Sequence, residues 1–114
     1  MPAKLSTHVL DLTTGRPAVG MVIQLLRTGP EPALIKTVTT NADGRTDGPL
    51  LDETTMAAGS YELVFHVSEY FSGHGVDCPF LGQVPIRFNL TDATAGYHVP
   101  LLVTPWAYST YRGS

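Results

Sequence analysis

The chain of 114 residues carries a formal net charge of −3, with 43% hydrophobic residues and only 15% charged residues. It contains no basic run, which argues against nucleic-acid binding, and no apolar stretch long enough to cross a membrane. The length is sufficient for a core, and we expect one domain over residues 1–114. Since few charged side chains are available to cover the exterior, we expect part of the surface to be buried against another subunit.

The N-terminal sequence and the cysteine content predict the compartment. The opening residues, MPAKLSTHVLD, show no charged region followed by an apolar one, so we expect no secretory signal. Cys78 is the only cysteine and cannot belong to a disulfide framework. Its thiol is more typical of a small buried side chain than of a nucleophile. These features predict a cytoplasmic protein.

Short apolar runs separated by Gly and Pro predict a series of strands. In chain order the runs are THVLDL (7–12), GMVIQLLRT (20–28), ALIKTVTT (33–40), YELVFHV (61–67), VPIRFNL (84–90), YHVPLLV (97–103) and YSTY (108–111). Several alternate cleanly; in YELVFHV, Leu63 and Phe65 share one face while Glu62 and His66 share the other. This period of two with one apolar face is typical of a half-buried antiparallel strand.

The segments between the runs complete the predicted fold. NADGRTDG at 41–48 predicts a turn. SEYFSGHG at 68–75 predicts a single short helix that ends at Gly73 or Gly75. We therefore predict an all-β protein, an antiparallel β-sandwich of about seven or eight strands with one short helix.

Two predicted strands place a histidine beside apolar neighbours on the face opposite the expected core. In the first strand His8 and Leu10 share this face, and in YHVPLLV it carries His98, Pro100 and Leu102. A face that mixes apolar and titratable side chains suggests a subunit interface or a pocket. Pro100 has no amide hydrogen, so we expect the second strand to be irregular there.

Other candidate residues have plain structural interpretations. His66 lies on a polar strand face and His74 in a Gly-rich loop, so both are expected to be solvated or lightly hydrogen-bonded. His74 and Cys78 lack further ligands at suitable spacing, so we expect no metal site. The sequence has no phosphate-binding loop, G-x-S-x-G or H-E-x-x-H motif. On residue type and spacing alone, His8, Arg45 and His98 are as compatible with structural as with catalytic roles.

Three segments resemble, in order, the signature blocks of the 5-hydroxyisourate hydrolases, a transthyretin-related family. They are LSTHVLDLTTGRPA (5–18), DGRTDGPLL (43–51) and YHVPLLVTPWAYSTYRGS (97–114). GSYELVFHVSEYF and PFLGQVPIRF, which lie between them, are similar to the family as well, so the resemblance covers nearly the whole chain. YRGS is the most specific part because it separates the hydrolases from transthyretin. One departure is Gly96, where the family often has a histidine.

The resemblance implies a transthyretin-like β-sandwich that assembles as a homotetramer, a dimer of dimers formed through edge strands, with active sites in a central channel. It implies hydrolysis of 5-hydroxyisourate to 2-oxo-4-hydroxy-4-carboxy-5-ureidoimidazoline in urate degradation, with no metal and no other cofactor. The implied catalytic residues are His8, Arg45, His98 and Ser114. The implied substrate-binding residues are Arg45, Tyr111, Arg112, Gly113 and Ser114.

The C-terminal segment is expected to be docked at the site rather than frayed. Gly113 would permit a backbone turn or a close approach that a side chain would block. Arg112 would pair with a carboxylate and fix the segment, and Ser114 would offer its hydroxyl or its terminal carboxylate to the substrate.

The sequence leaves two further interpretations open. The first is a transthyretin-like protein that binds small ligands without catalysis, and the second is an interaction module with no ligand. Transthyretin has other residues at the positions of His8, Arg45 and His98, which favours the hydrolase. Which of the two histidines acts as the general base is not decided by the sequence.

Overall fold

The computed structural model describes residues 3–113, which form two β-layers around a shared core together with one short helix. The strands of the first layer are β4 (Val22–Gly29), β5 (Ala33–Thr39), β6 (Gly59–His66) and β7 (Gln83–Leu90). They form an antiparallel sheet with the order β5, β4, β6, β7. The predicted β-sandwich with one short helix is confirmed in this part of the chain.

The second layer contains the strand segments that carry both candidate histidines. Its segments are β1 (Lys4–Ser6), β2 (Val9–Asp11), β3 (Arg16–Pro17), β8 (Gly96–His98), β9 (Leu101–Val103) and β10 (Tyr108–Thr110). The order is β10, β9, β2, β3, and β1 pairs with β8 beside it. β1 and β2 are halves of one interrupted strand, as are β8 and β9, so the ten segments correspond to eight strands.

The direction of two pairings differs from the prediction. β1 runs parallel to β8, and β2 runs parallel to β9. The expectation of antiparallel strands throughout is therefore wrong for these two pairings, whereas β10 with β9 and β2 with β3 are antiparallel as expected. Alternation along a strand reports which face is buried, and a parallel strand with one covered face alternates in the same way.

The core follows the predicted alternation. Tyr61, Leu63 and Phe65 on β6 are fully buried, whereas Glu62 and His66 on the opposite face are partly exposed. From the other layer the core receives Tyr97, Val99, Leu101 and Val103. Each fully buried side chain of this size contributes about 1.5–3 kcal/mol of transfer free energy.

The short helix α1 (Val67–Gly73) directly follows β6 and buries Val67, Tyr70 and Phe71. It begins one residue before the predicted segment and ends at Gly73, as predicted. Within residues 3–113 no helix is long and apolar enough to cross a membrane.

A buried carboxylate joins α1 to the strand that follows His8. Asp11 is only 3% exposed, and its Oδ2 accepts the hydroxyl of Tyr70 at 2.8 Å. Its Oδ1 accepts the backbone N–H of Thr13 at 2.8 Å and the Thr13 hydroxyl at 2.6 Å. Burial, and the hydrogen bond to Asp11, raise the pKa of Tyr70 above its usual range, so the phenol remains a donor.

Replacing Tyr70 with Phe should lower the free energy of unfolding by about 1–3 kcal/mol, because a buried carboxylate loses one of its donors. Urea denaturation measures this change. Tyr108→Phe is the control, since Tyr108 is partly exposed and its hydroxyl has no hydrogen-bond partner within residues 3–113. Equal stability of the two variants would contradict this role of the Asp11–Tyr70 bond.

Candidate active site

The strand that carries His8 and the strand that carries His98 are interrupted at the same level. One break contains Thr7 and His8, and the other contains Val99 and Pro100. Pro100 cannot donate a backbone hydrogen bond. The irregularity predicted at Pro100 is therefore confirmed.

Hydrogen bonds join the two breaks and fix their geometry. The N–H of Val99 donates to the carbonyl of Ser6, and the N–H of Leu101 donates to the carbonyl of His8, each at 2.9 Å. The buried hydroxyl of Thr7 donates to the carbonyl of Val99 at 2.7 Å. The backbone around His8 is thus held on both sides although regular pairing is interrupted.

Alternation places both histidines on the accessible face of this layer. The buried positions of the first strand are Leu5, Thr7, Val9 and Asp11. The accessible or partly accessible positions are Lys4, Ser6, His8 and Leu10. His98 and Leu102 are also partly accessible, as predicted, but Pro100 is buried and its carbonyl accepts the hydroxyl of Thr110 at 2.7 Å.

A tight turn brings Arg45 next to the first break. The side-chain oxygen of Asn41 accepts the N–H groups of Asp43 and Arg45 at 2.9 and 3.2 Å. Gly44 has a φ of +71°, and its carbonyl accepts the N–H of Val9 at 2.8 Å. A Cβ atom at position 44 would lie 2.5 Å from the Val9 carbonyl oxygen. Only glycine permits this contact, and the contact docks the turn on β2.

Contacts on two edges hold the imidazole of His98. Its Nδ1 is hydrogen-bonded to Oγ of Ser6 at 2.8 Å. On the opposite edge, a Cβ atom at position 113 would lie 2.8 Å from Cδ2 of His98, and the N–H of Gly113 donates to the His98 carbonyl at 2.7 Å. The close approach predicted for Gly113 is therefore observed. The end of the ring that bears Nε2 points away from its own backbone.

The electrostatic environment favours the neutral form of His98. Partial burial lowers the pKa of His98, and the positive charges of Arg45, His8 and Lys4 lower it further. His98 is thus available as a base at a lower pH than an ordinary histidine. The structure brings together His8, Arg45 and His98, which the sequence placed far apart.

The C-terminal segment packs against the same strands. The antiparallel pairing of β10 with β9 leads it there. Nη2 of Arg112 donates to the carbonyl of Gly96 at 3.1 Å, and the guanidinium lies 4.5 Å from the centre of the Tyr97 ring. Among residues 3–113 no carboxylate lies within 4 Å of the Arg112 guanidinium, which contacts a carbonyl and an aromatic face instead. Hydrogen bonds from Thr94, and then the charge of Arg112, lower the pKa of Asp92. Tyr111 is 59% exposed.

The remaining predicted residues lie elsewhere or are not described. Ser114 lies outside the described residues, so its predicted contacts stay predictions. His66 bonds Oε1 of Gln24 through Nε2 at 2.9 Å, and His74 bonds the carbonyl of Tyr70 through Nδ1 at 2.8 Å.

Two observations concern the remaining reactive side chains of residues 3–113. Partial burial raises the pKa of the Cys78 thiol, which agrees with an unreactive side chain. Within the described range, no group of three or more His, Cys, Asp or Glu side chains is arranged to hold a metal ion.

Two residues that act on His98, Ser6 and Lys4, were not predicted from the sequence. Both line a cleft of about 280 Å³ together with Arg45. The alternation that places His8 on the accessible face also places Ser6 and Lys4 there, and this signal was present in the sequence. The pairing of β1 with β8 sets Ser6 opposite His98 and Lys4 opposite Gly96, and alternation does not reveal this pairing.

The chain is similar to known proteins along almost its whole length. The profile of the HIUase/Transthyretin family matches residues 5–113. The chain is 55% identical to 5-hydroxyisourate hydrolase 2 of Rhizobium meliloti (strain 1021), over 97% of this chain and 96% of that protein.

Two solved structures are also similar. A Klebsiella pneumoniae 5-hydroxyisourate hydrolase matches with a TM-score of 0.80 and 35% identity, over 98% of this chain and 94% of that one. An (S)-allantoin synthase matches with a TM-score of 0.94 and 42% identity over 99% of this chain. The match covers only 44% of that synthase, so the chain spans less than half of its length.

Replacing Arg45 with Gln should raise the pKa of His98 toward the ordinary histidine value, because a nearby positive charge is removed. NMR titration of the imidazole measures this shift. The matched control is Arg87→Gln, since Arg87 is paired with Glu62 on neighbouring strands at 2.9 Å. An unchanged His98 titration in Arg45→Gln, or an equal shift in both variants, would refute the proposed coupling.

Proposed function

The chain belongs to the HIUase/Transthyretin family, and on that premise we propose that it hydrolyses 5-hydroxyisourate to 2-oxo-4-hydroxy-4-carboxy-5-ureidoimidazoline, a step of urate degradation. The observation that carries the proposal is the imidazole of His98, with a lowered pKa, grouped with Arg45 and His8 on one accessible face. The identity to a curated hydrolase over nearly the full length of both chains supports the same reaction.

The reaction opens a cyclic amide and requires three catalytic functions from the protein. A base must take a proton from the attacking water, whose oxygen forms a bond to the amide carbonyl carbon. The negative charge that develops on the carbonyl oxygen must be stabilised. When the carbon–nitrogen bond breaks, the leaving nitrogen must receive a proton.

The residues of the site divide these tasks in our proposal. His98 takes the proton of the water, since its lowered pKa keeps it unprotonated near neutral pH. Arg45 offers fixed cationic donors to the carbonyl oxygen. His8 supplies the proton to the leaving nitrogen.

The C-terminal segment completes the substrate site in this proposal. Gly113 packs against the ring of His98, and Arg112 is fixed by the carbonyl of Gly96. Tyr111, which is largely exposed in the single chain, is assigned to the substrate or to a neighbouring subunit. Ser114 is assigned a substrate contact on the basis of the family resemblance alone.

We further propose a homotetramer, a dimer of dimers that encloses the sites. β7 and β10 are edge strands of their sheets in the described part of the chain, and a groove of about 270 Å³ runs between β7 and residues 110–112. Exposed edges of this kind are commonly covered by pairing with another chain. Trp106, Tyr108 and Tyr111 are exposed nearby in sequence and would contribute apolar area.

A cytoplasmic location is included in the proposal, in keeping with the single unpaired Cys78.

A transthyretin-like carrier without catalysis is the competing function. It is separated from the hydrolase by stopped-flow ultraviolet absorbance of freshly generated 5-hydroxyisourate, with and without the protein. The hydrolase accelerates the loss of substrate over the spontaneous decay, which must be subtracted. Loss of substrate at the spontaneous rate in the presence of the protein would contradict the proposal.

Substituting either histidine of the site should lower kcat strongly. We expect His98→Asn and His8→Asn each to reduce kcat by roughly 10²- to 10⁴-fold, since each removes one proton-transfer group. Arg45→Lys should also be damaging, because a point charge does not reproduce the planar guanidinium. His74→Asn is the control and should be nearly neutral. Near-normal turnover in both site variants would show that the catalytic assignment is wrong.

A methyl group at position 113 should disturb catalysis more than stability. Gly113→Ala forces a Cβ atom into the space of the His98 ring, so either the ring or the C-terminal segment moves and kcat falls. Gly82→Ala is the matched control, because a Cβ atom there meets no atom within 4 Å. If the steady-state kinetics of the two variants were the same, the packing of Gly113 on His98 would have no role in the reaction.

The proposed assembly predicts a tetramer at micromolar concentration. Size-exclusion chromatography with light scattering measures the mass directly, and a mass of four chains is expected. A clean monomer would contradict the enclosed site.

A further inference from the structure

Within residues 3–113, Ser6 is the residue that is hydrogen-bonded to the imidazole ring of the candidate base. The parallel register sets Ser6 directly opposite His98, and Oγ of Ser6 lies 2.8 Å from Nδ1. The backbone of Ser6 is itself fixed, because its carbonyl accepts the N–H of Val99. Within residues 3–113 the Ser6 hydroxyl has no other partner, and Nδ1 is the only ring nitrogen of His98 that has one.

The bond permits two arrangements with opposite consequences. A neutral imidazole carries one N–H group, and a serine hydroxyl both donates and accepts. If Nδ1–H donates to Ser6, the lone pair of the ring lies on Nε2. If Ser6 donates to Nδ1, Nε2 carries the hydrogen and is not available as a base.

The position of the Ser6 bond on the ring selects between these arrangements. Nδ1 lies against Oγ of Ser6, and Nε2 has no hydrogen-bond partner within residues 3–113, so Nε2 is the nitrogen left to meet water and substrate. A base at Nε2 needs its lone pair there. The hydrogen is then on Nδ1, where Oγ of Ser6 accepts it. Lys4, Arg45 and His8 are the groups whose positive charge acts on His98.

We propose that Ser6 is a positioning residue that accepts Nδ1–H of His98 and thereby holds the imidazole in the tautomer with an unprotonated Nε2. Gly113 blocks the opposite edge of the ring, so the ring is confined from both sides. The catalytic consequence rests on the proposed function, whereas the tautomer is a property of the protein alone. While Nδ1–H donates to Ser6, Nε2 takes the proton of the attacking water. The ring is then an imidazolium, and Oγ of Ser6 still accepts the hydrogen bond from its Nδ1–H.

The proposal predicts the direction in which Ser6→Ala moves the pKa of His98. An acceptor at Nδ1–H stabilises the imidazolium more than the neutral ring, so its loss should lower the pKa further. A hydroxyl that stayed a donor to Nδ1 would stabilise only the neutral ring, and its loss would raise the pKa; the chemical shifts of Nδ1 and Nε2 identify the tautomer directly. The groups that face the ring, Lys4, His8 and Arg45, are unchanged in this comparison.

The test combines long-range ¹H–¹⁵N NMR of the His98 ring with steady-state kinetics. In the unaltered protein, Nδ1 should have the chemical shift of a protonated nitrogen and Nε2 that of an unprotonated one. In Ser6→Ala we expect a mixture of tautomers, a lower His98 pKa and a kcat that is roughly two- to tenfold lower at a similar KM. Ser6→Thr should restore the tautomer, the His98 pKa and kcat. Ser72 is an exposed serine on α1, and Ser72→Ala should change none of these properties.

The two halves of the test separate the possible failures. An unprotonated Nδ1 in the unaltered protein, or a raised His98 pKa in Ser6→Ala, would overturn the proposal. A tautomer that is the same in Ser6→Ala and in the unaltered protein would overturn it as well. The NMR part needs no substrate, so its failure is distinct from failure of the proposed function, which appears as no hydrolysis by the unaltered protein.

Discussion

The parallel pairing of β1 and β2 with β8 and β9 is the constraint on which the site depends. One register holds on both sides of the interruption, and it sets Ser6 opposite His98 and Val9 opposite Leu101. A slip by one residue would turn buried side chains such as Leu5 toward the cleft and the polar ones toward the core. The burial of the apolar face therefore enforces the geometry of the polar face.

The turn and the C-terminal segment reach the site by docking on this pair of strands. Gly44 contacts Val9, which brings Arg45 to the first break, and Gly113 contacts His98 at the second. At both positions a backbone without a side chain is pressed against a strand. The site is thus assembled from four distant parts of the sequence with few side-chain contacts between them.

The partial burial of His98 beside positive charges lowers the stability of the folded protein at acidic pH. The pKa of His98 is lowered in the folded protein, so the unfolded chain binds this proton more tightly than the folded one. Stability therefore decreases as the pH falls through and below the ordinary histidine value of about 6.5. The same lowering keeps the ring neutral at working pH, which is the form that a base requires.

Alternation in the sequence predicted the faces of His8 and His98, and residue chemistry predicted the close approach at Gly113. The sequence pattern did not predict Ser6 as a neighbour of His98, because β1 has only three residues and its partner strand β8 lies at the other end of the chain. The partner of Arg112 was also missed, since a backbone carbonyl such as that of Gly96 leaves no trace in the side-chain pattern. The roles of His8, Arg45, His98 and Ser114 rest on the family and on chemistry, and they await kinetics.

The pH dependence of kcat/KM for 5-hydroxyisourate, corrected for spontaneous decay, tests the central claim that neutral His98 is the base. This parameter reports the pKa of the base in the free enzyme. Because the base must be unprotonated, activity should fall on the acid side, with an apparent pKa below the ordinary histidine value of about 6.5. That apparent pKa should agree with the NMR titration of His98. An acid limb at or above the ordinary value, or one that persists unchanged in His98→Asn, would contradict the account.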